Sequence, residues 1–283
     1  HANTSQLDSA TNYEFRYLFN MNQVTLVSGD SGVSWLACGR EHTIIVAAPS
    51  NEVIIFGSNQ LGQLGVNSTN YDMDRDHFII APSVAQELKE LNVRRAFAVG
   101  STSFVVDDQG KTYAFGDNTL KQLCLDNDAS SVTVHIPTLV LDNTGGASVD
   151  DATAVQVTGG NQYTIILTAS KKLYGCGLDS MGLTLGIGGT STVAYDVPQA
   201  IAPTIDFQHV SSSGRTTVAI DTTNKVYYWG ENLNGQVGRD AGEQKHVPTL
   251  ISGHGLPTGA TVRQLSVNRF SVSVVVRDTT ATP

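Results

Sequence analysis

Charge is what this chain has least of: Asp, Glu, Lys and Arg supply only 15% of its 283 residues, against the usual quarter or so of a globular domain. Thr, Ser, Asn and Gly take the vacant places. These residues compete with helical hydrogen bonding or loosen the backbone, so the exchange favours strands and turns. The little charge present is acidic on balance, 17 Lys and Arg against 26 Asp and Glu for a net charge of −9. No basic tract offsets it, and a chain that repels phosphate at long range is not expected to bind nucleic acid directly. Cysteine is equally scarce. Cys38, Cys124 and Cys176 are too few for a closed disulfide framework and none has C-x-x-C spacing. They are expected to be small buried hydrophobes, and free cysteines lean towards a reducing, cytoplasmic or nuclear compartment. Two glycosylation-type triplets, at Asn3 and Asn67, lean the other way. No apolar run reaches the roughly 18 residues of a membrane span and no signal peptide is visible, so no membrane partner is expected. The first residue is His1 rather than Met, which leaves upstream residues and the compartment open.

Catalytic signatures are missing too. There is no G-x-S-x-G, H-E-x-x-H or P-loop, and no catalytic residue or cofactor is expected. The string Gly186-Ile187-Gly188-Gly189 has no following helix or Lys and reads as a turn. Asp72, Asp74 and Asp76 alternate as the start of a calcium loop would, but His77 and Ser83 stand where that loop needs Gly and Glu. They read as a solvated acidic loop before they read as a metal site. His77, His135, His209, His246 and His254 share no spacing and are placed in loops. Arg94 and Arg95, with Arg263, Arg269 and Arg277, are solvated strand ends or one cationic face for an acidic partner.

What the chain does have is a period. Four segments, residues 37–65, 98–124, 158–186 and 212–238, each contain an apolar strand, a polar turn and a second strand ending in an aromatic or Cys plus Gly. A Leu or Val followed by Gly or Cys comes shortly after. The marker glycines are Gly57, Gly116, Gly177 and Gly230, spaced 59, 61 and 53 residues apart. Several short strands per unit at this period are too long for a solenoid coil and suit a propeller blade. Apolar runs such as TIIV and TIIL fit strands covered on both faces. Turns are expected at Ser50-Asn51-Glu52, Asp108-Gln109-Gly110 and Thr222-Thr223-Asn224. Helix signals are confined to residues 84–91, after Pro82-Ser83. Gln6-Leu7-Asp8 matches Gln63-Leu64-Gly65, and the strand before Asp278 matches the one before Asp221. The chain thus starts and stops at almost one phase of the repeat. Pairing of its ends would close a ring, with one short strand missing, or the chain is five units of a larger ring.

The motif F-G-S-N-Q-L-G-Q-L-G at residues 56–65, preceded by A-C-G-x-x-H-T at 37–43, closely resembles the regulator of chromosome condensation repeat. W-G-E-N-L-N-G-Q-V-G at 229–238 is similar, and Pro137 and Pro248 resemble that family's x-P-x-x-V connection. The family histidine stands only at His42; Ser103, Tyr163 and Thr216 lie near its place. The resemblance implies an all-β chain, a single β-propeller domain over 1–283 with units of about 1–56, 57–115, 116–176, 177–229 and 230–283. It is either a ring of about five blades or five blades of a seven-bladed one. Gly39, His42, Gly57, Gly65, Gly116, Gly177, Gly186, Trp229, Gly230 and Gly238 are its expected structural positions, with Trp35 and Trp229 between blades.

Function follows from the platform such a ring offers. The first expectation is a non-catalytic scaffold binding another protein through unequal insertions at residues 66–91 and 126–151, with Tyr71, Asp72, Asp74, Phe78, Asp126 and Asp128 as contacts. The alternatives are nucleotide exchange on a small GTPase, which the family resemblance implies, an inhibitor plugging an active site, and a subunit whose partners are assembly neighbours.

Overall fold

The computed structural model describes residues 32–67, 86–125, 133–140, 153–238, 241–251, 261–268 and 271–277. Its strands fall into five antiparallel sheets among these residues, each meandering in chain order. The first contains β1 (Gly32–Cys38), β2 (His42–Ala48) and β3 (Val53–Gly57). A short helix, α1 (Gln86–Glu90), leads into the second: β4 (Arg95–Val99), β5 (Thr102–Val106), β6 (Thr112–Asp117) and β7 (Thr133–Leu139). The third has β8 (Ala154–Gly159), β9 (Tyr163–Thr168), β10 (Leu173–Asp179) and β11 (Val193–Ile201). The fourth has β12 (Phe207–Ser213), β13 (Thr216–Asp221), β14 (Val226–Gly230) and β15 (Lys245–Leu250), and the fifth β16 (Thr261–Val267) and β17 (Val272–Arg277).

The sheets follow one another as propeller blades do. The leading strands β1, β4, β8, β12 and β16 lie each against the next, and polar side chains tie them. Thr158 Oγ1 accepts from Ser212 N at 2.9 Å, and Ser211 Oγ accepts from Val267 N at 3.0 Å. Second strands are sandwiched on both faces, and β5, β9 and β13 are buried along their whole length. This is why their sequences, TSFVV, YTIILT and TTVAID, do not alternate. A fully buried Phe104 or Ile165 contributes about 1.5–3 kcal/mol by leaving water. The core sits between sheets: Ile44 and Ile55 of the first share one cluster with Phe97 and Phe104 of the second and Ile166 of the third. The outermost strands β7, β11 and β15 are half-buried and carry Pro137, Pro198 and Pro248, where proline's missing N–H is tolerated. Each has a bulge, where the pairing register jumps opposite Phe115, Cys176 and Trp229.

Two expectations are corrected. Cys124 and Cys176 are joined by a disulfide, with Cα atoms 5.4 Å apart, and Cys38 alone stays free and exposed. Sequence distance concealed the pair, because residues 52 positions apart meet only when adjacent sheets stack. The bond removes the ground for a reducing compartment. His135, His209 and His246 lie on strands β7, β12 and β15 rather than in loops, since half-buried strands admit a polar residue at alternate positions. Ring closure by the chain's ends falls on residues 1–31 and 278–283, outside the described residues.

The marker glycines recur for a physical reason visible at Gly116. Its φ is 113°, and a Cβ there would sit 2.5 Å from the Ser101 carbonyl oxygen. Gly214 has φ 61° but nothing within 4 Å. Gly116→Ala is therefore expected to lower stability by at least about 2 kcal/mol, and Gly214→Ala by only about 1 kcal/mol. Urea midpoints of the two variants check this; equal losses would mean that the close approach contributes nothing.

Candidate interaction surfaces

Because the leading strands all run the same way, the connections gather at two ends. At the first end lie the turns between first and second strands. They stack from sheet to sheet: Arg40 N donates to Gly100 O at 2.8 Å, and a Cβ on Gly160 would fall 2.8 Å from Gly214 O. Outside them lie the loops after the third strands. A buried Asn or Asp holds each loop closed by accepting a backbone N–H. Asn59 takes Leu64 N (3.0 Å), Asn118 takes Leu123 N (3.1 Å), Asp179 takes Thr184 N (2.9 Å) and Asn232 takes Val237 N (3.2 Å). Sequence reasoning missed these four, although each stands two residues after a marker glycine.

His42 is the polar hub of the first seam between sheets. It is 3% exposed, and its Nε2 lies 2.9 Å from Ser103 Oγ in the next sheet. Ser103 gives its own proton to Gln63 O at 2.7 Å. It can therefore only accept from the ring, which assigns the proton to Nε2. Nδ1 is buried without a partner, over Gly39, where a Cβ would come within 2.6 Å of it. A second proton would put charge into this dry site, and burial pushes the pKa down to about 4. Tyr163 occupies the same register position in the third sheet, opposite Gly177 as His42 is opposite Gly57. Its hydroxyl is buried without a hydrogen-bond partner, and burial pushes it up to about 12. Ser103 itself lies one place further along, opposite Phe115. Of the expected structural positions, Gly57 and Gly230 end β3 and β14, and Gly116 and Gly177 lie near the ends of β6 and β10. Gly65, Gly186 and Gly238 lie in the loops after them. Both tryptophans lie between sheets: Trp35 meets Phe97 edge-on at 5.6 Å, and Trp229 Nε1 donates to Thr184 O at 3.2 Å.

The second end carries the turns between second and third strands and the connections between sheets. Asp107 and Asp221 are consumed within those turns. Asp107 Oδ1 accepts from Gln109 N and Lys111 N, and Asp221 Oδ1 from Thr223 N and Lys225 N. Tyr113 and Tyr227 donate to the other oxygens; burial, with the carboxylates beside them, raises both phenols. Arg94 and Arg95, at the start of β4, and Arg263, near the start of β16, come to this end, as does the backbone of Arg277, paired with Thr261. Arg269 lies outside the described residues.

The two ends differ in charge pairing. At the first, Arg40, Lys121, Arg215 and Lys245 each meet an acid: Glu41 (3.8 Å), Asp196 (2.9 Å), Glu231 (3.0 Å) and Glu243. At the second, only Lys172 does so among the described residues, with Asp206 at 2.6 Å. Arg94, Arg95, Lys111, Lys171, Lys225 and Arg263 have no such partner among them. The sequence-derived contacts Tyr71, Asp72, Asp74, Phe78, Asp126 and Asp128, and the weak metal candidate that adds Asp76, lie outside the described residues. No cluster of metal ligands occurs among those described.

Comparison with known proteins agrees with this geometry. The family model described as "Regulator of chromosome condensation (RCC1) repeat" matches residues 223–265. The ultraviolet-B receptor UVR8 of Arabidopsis thaliana is 22% identical over 266 residues, covering 77% of this chain. The X-linked retinitis pigmentosa GTPase regulator of Mus musculus is 29% identical over 266 residues, covering 78%. The structure of yeast RCC1 (Prp20) bound to Kap60 superposes with a TM-score of 0.69 at 19% identity, covering 90% of this chain and 56% of that one. Residues 223–265 match one RCC1 repeat, and most of the chain is similar to RCC1-like proteins. The chain spans 58% of UVR8 and 26% of the mouse GTPase regulator. Its sheets have the blade fold of the RCC1-type propeller, with Gly39 and His42 of this RCC1-like chain filling one seam.

The His42 site predicts a pH dependence. In the unfolded chain the ring takes its proton near pH 6.5, in the folded one only near 4. Between these values the unfolded state binds more protons, so stability falls as pH drops and levels off below about 4. The loss should be about 3 kcal/mol. His42→Gln should abolish this step while leaving the rest of the acid profile in place, as measured by urea unfolding at a series of pH values.

Proposed function

We propose that this RCC1-like chain is a non-catalytic interaction scaffold that docks an acidic segment of a protein partner on its second end. The observation that carries the reading is the contrast in ion pairing: the cations of the first end are neutralised within the fold, whereas Arg94, Arg95, Lys111, Lys225 and Arg263 are not. In a chain of net charge −9, cations left without an ion pair are free to pair with the carboxylates of an acidic partner and to orient it. The turns that present Lys111 and Lys225 are pinned by Asp107 and Asp221, so little order is lost there when the partner binds.

Nucleotide exchange on a small GTPase is a second reading. It is favoured by the relative named a GTPase regulator and by the solved yeast Prp20p, described with its binding properties to Gsp1p and histones.

An oligoglutamate peptide is a suitable probe of the scaffold reading. It should bind the chain, and Arg95→Glu with Arg263→Glu should weaken binding by roughly tenfold. Raising salt from about 50 to about 300 mM should weaken it too. Arg40→Glu and Arg215→Glu at the first end should leave it within about twofold. Equal losses from both pairs would remove the argument from charge pairing. Acceleration of labelled GDP release from a small GTPase would select the exchange reading instead, and a solution mass well above the monomer would select an assembly subunit.

A further inference from the structure

Three seams between sheets share one contact, and the second makes it differently. At the first seam Gly65 faces Phe115: a Cβ on the glycine would lie 2.9 Å from the ring's Cε2. At the third, Gly186 faces Trp229, with a Cβ 2.7 Å from Nε1. The glycine in each case ends the loop of one sheet, and the ring stands on the third strand of the next, just before a marker glycine. At the second seam these two places are held by Cys124 and Cys176, and they are bonded. Phe115, Trp229 and both cysteines are 0% exposed. Cys124 also keeps the backbone of the glycines whose place it takes, with φ 60° beside 65° for Gly65 and 75° for Gly186. A side chain other than Gly, Asn or Asp rarely adopts that conformation.

Each seam is therefore filled by one of two combinations: no side chain against a large ring, or two small side chains joined by a covalent bond. A free Cys176 thiol is much smaller than Phe or Trp, so without the bond this site lacks the ring that closes the other two. We infer that the Cys124–Cys176 disulfide substitutes for the glycine–ring contact at the second seam, and makes the joint between the second and third sheets conditional on oxidation.

The chemistry is two-electron thiol–disulfide exchange. A dithiol reductant's thiolate attacks one sulfur and forms a mixed disulfide, expelling the other cysteine as a thiolate that takes up a proton. The reductant's second thiol then displaces the first cysteine. The chain is left with two thiols, and the reductant with an internal disulfide. Both sulfurs are buried, so attack requires the seam to open. The bond behaves as a lock set when the chain folds, not as a surface sensor.

The test compares oxidised and dithiothreitol-reduced protein, with thiol alkylation and mass measurement confirming the state of each sample. Reduction should lower the melting midpoint by roughly 5–15 °C. It should also raise amide hydrogen exchange around residues 118–125 and 173–179, while the Gly65–Phe115 and Gly186–Trp229 seams stay protected. The variant C124G/C176F installs the combination of the first seam. Its midpoint should be indifferent to reductant and closer to that of the oxidised wild type than to that of the reduced one. Substitution by contact would be refuted if C124G/C176F is no more stable than the reduced wild type, or does not fold. Conditionality would be refuted if fully alkylatable protein keeps its midpoint, or if exchange rises evenly at all three seams.

Discussion

The structure depends on one backbone contact repeated in each of the first four sheets. The residue after each marker glycine donates its N–H across the sheet to the hairpin of the two preceding strands. Ser58 reaches Glu41 O at 2.8 Å, Asp117 reaches Ser101 O at 3.1 Å, Leu178 reaches Gln162 O at 2.8 Å and Glu231 reaches Arg215 O at 2.9 Å. A Cβ at the marker position would fall within 1.9–2.5 Å of the same carbonyl oxygen in every case. The bond and a side chain at that position cannot coexist, so glycine is obligatory there, and with it the loop's path over the next sheet. From that path follow the Asn and Asp locks inside the loops, and the placing of the loop-ending glycine against the neighbour's ring.

This constraint explains what the sequence revealed and what it hid. Strict spacing and an absolute residue type go together when the backbone leaves no alternative, so the glycine-marked period, the strands and the blade architecture were legible from the residues alone. The family resemblance supplied Gly39 and His42 as a pair, and a ring close over Cα of Gly39 gives that pairing its reason. Contacts across seams were hidden, because they join residues that no local pattern relates. Cys124 and Cys176 looked like isolated thiols; only stacking of the second sheet on the third brings them together. Ser103 was placed near the family histidine's position in its own repeat, yet it is His42's hydrogen-bond partner from the neighbouring sheet. The four loop-locking residues were within reach, since Asn59, Asn118, Asp179 and Asn232 share one offset from the marker glycines. They were passed over because Asn and Asp in loops ordinarily signal exposure, whereas these are buried acceptors.

The same architecture divides the labour of charged groups. Carboxylates at the second end are spent on hairpins, where Asp107 and Asp221 each accept two backbone N–H groups and a phenol. That use fixes the turns, and the side chains of nearby Lys111 and Lys225 form no ion pair among the described residues. At the first end the exposed acids face cations instead, and the loops there are held by the buried acceptors Asn59, Asn118, Asp179 and Asn232.

The prolines of the outermost strands have a consequence for how such molecules coexist in a crowded solution. A fan of sheets turns several strand edges outward, and an edge with a free ladder of donors invites a neighbour to zip onto it. With Pro137, Pro198 and Pro248 set into those edges beside a bulge, each rim offers an interrupted ladder that an incoming strand cannot follow. Along these three sheets the rim is in effect insulated against self-templating, so contact with other molecules there falls to the two ends.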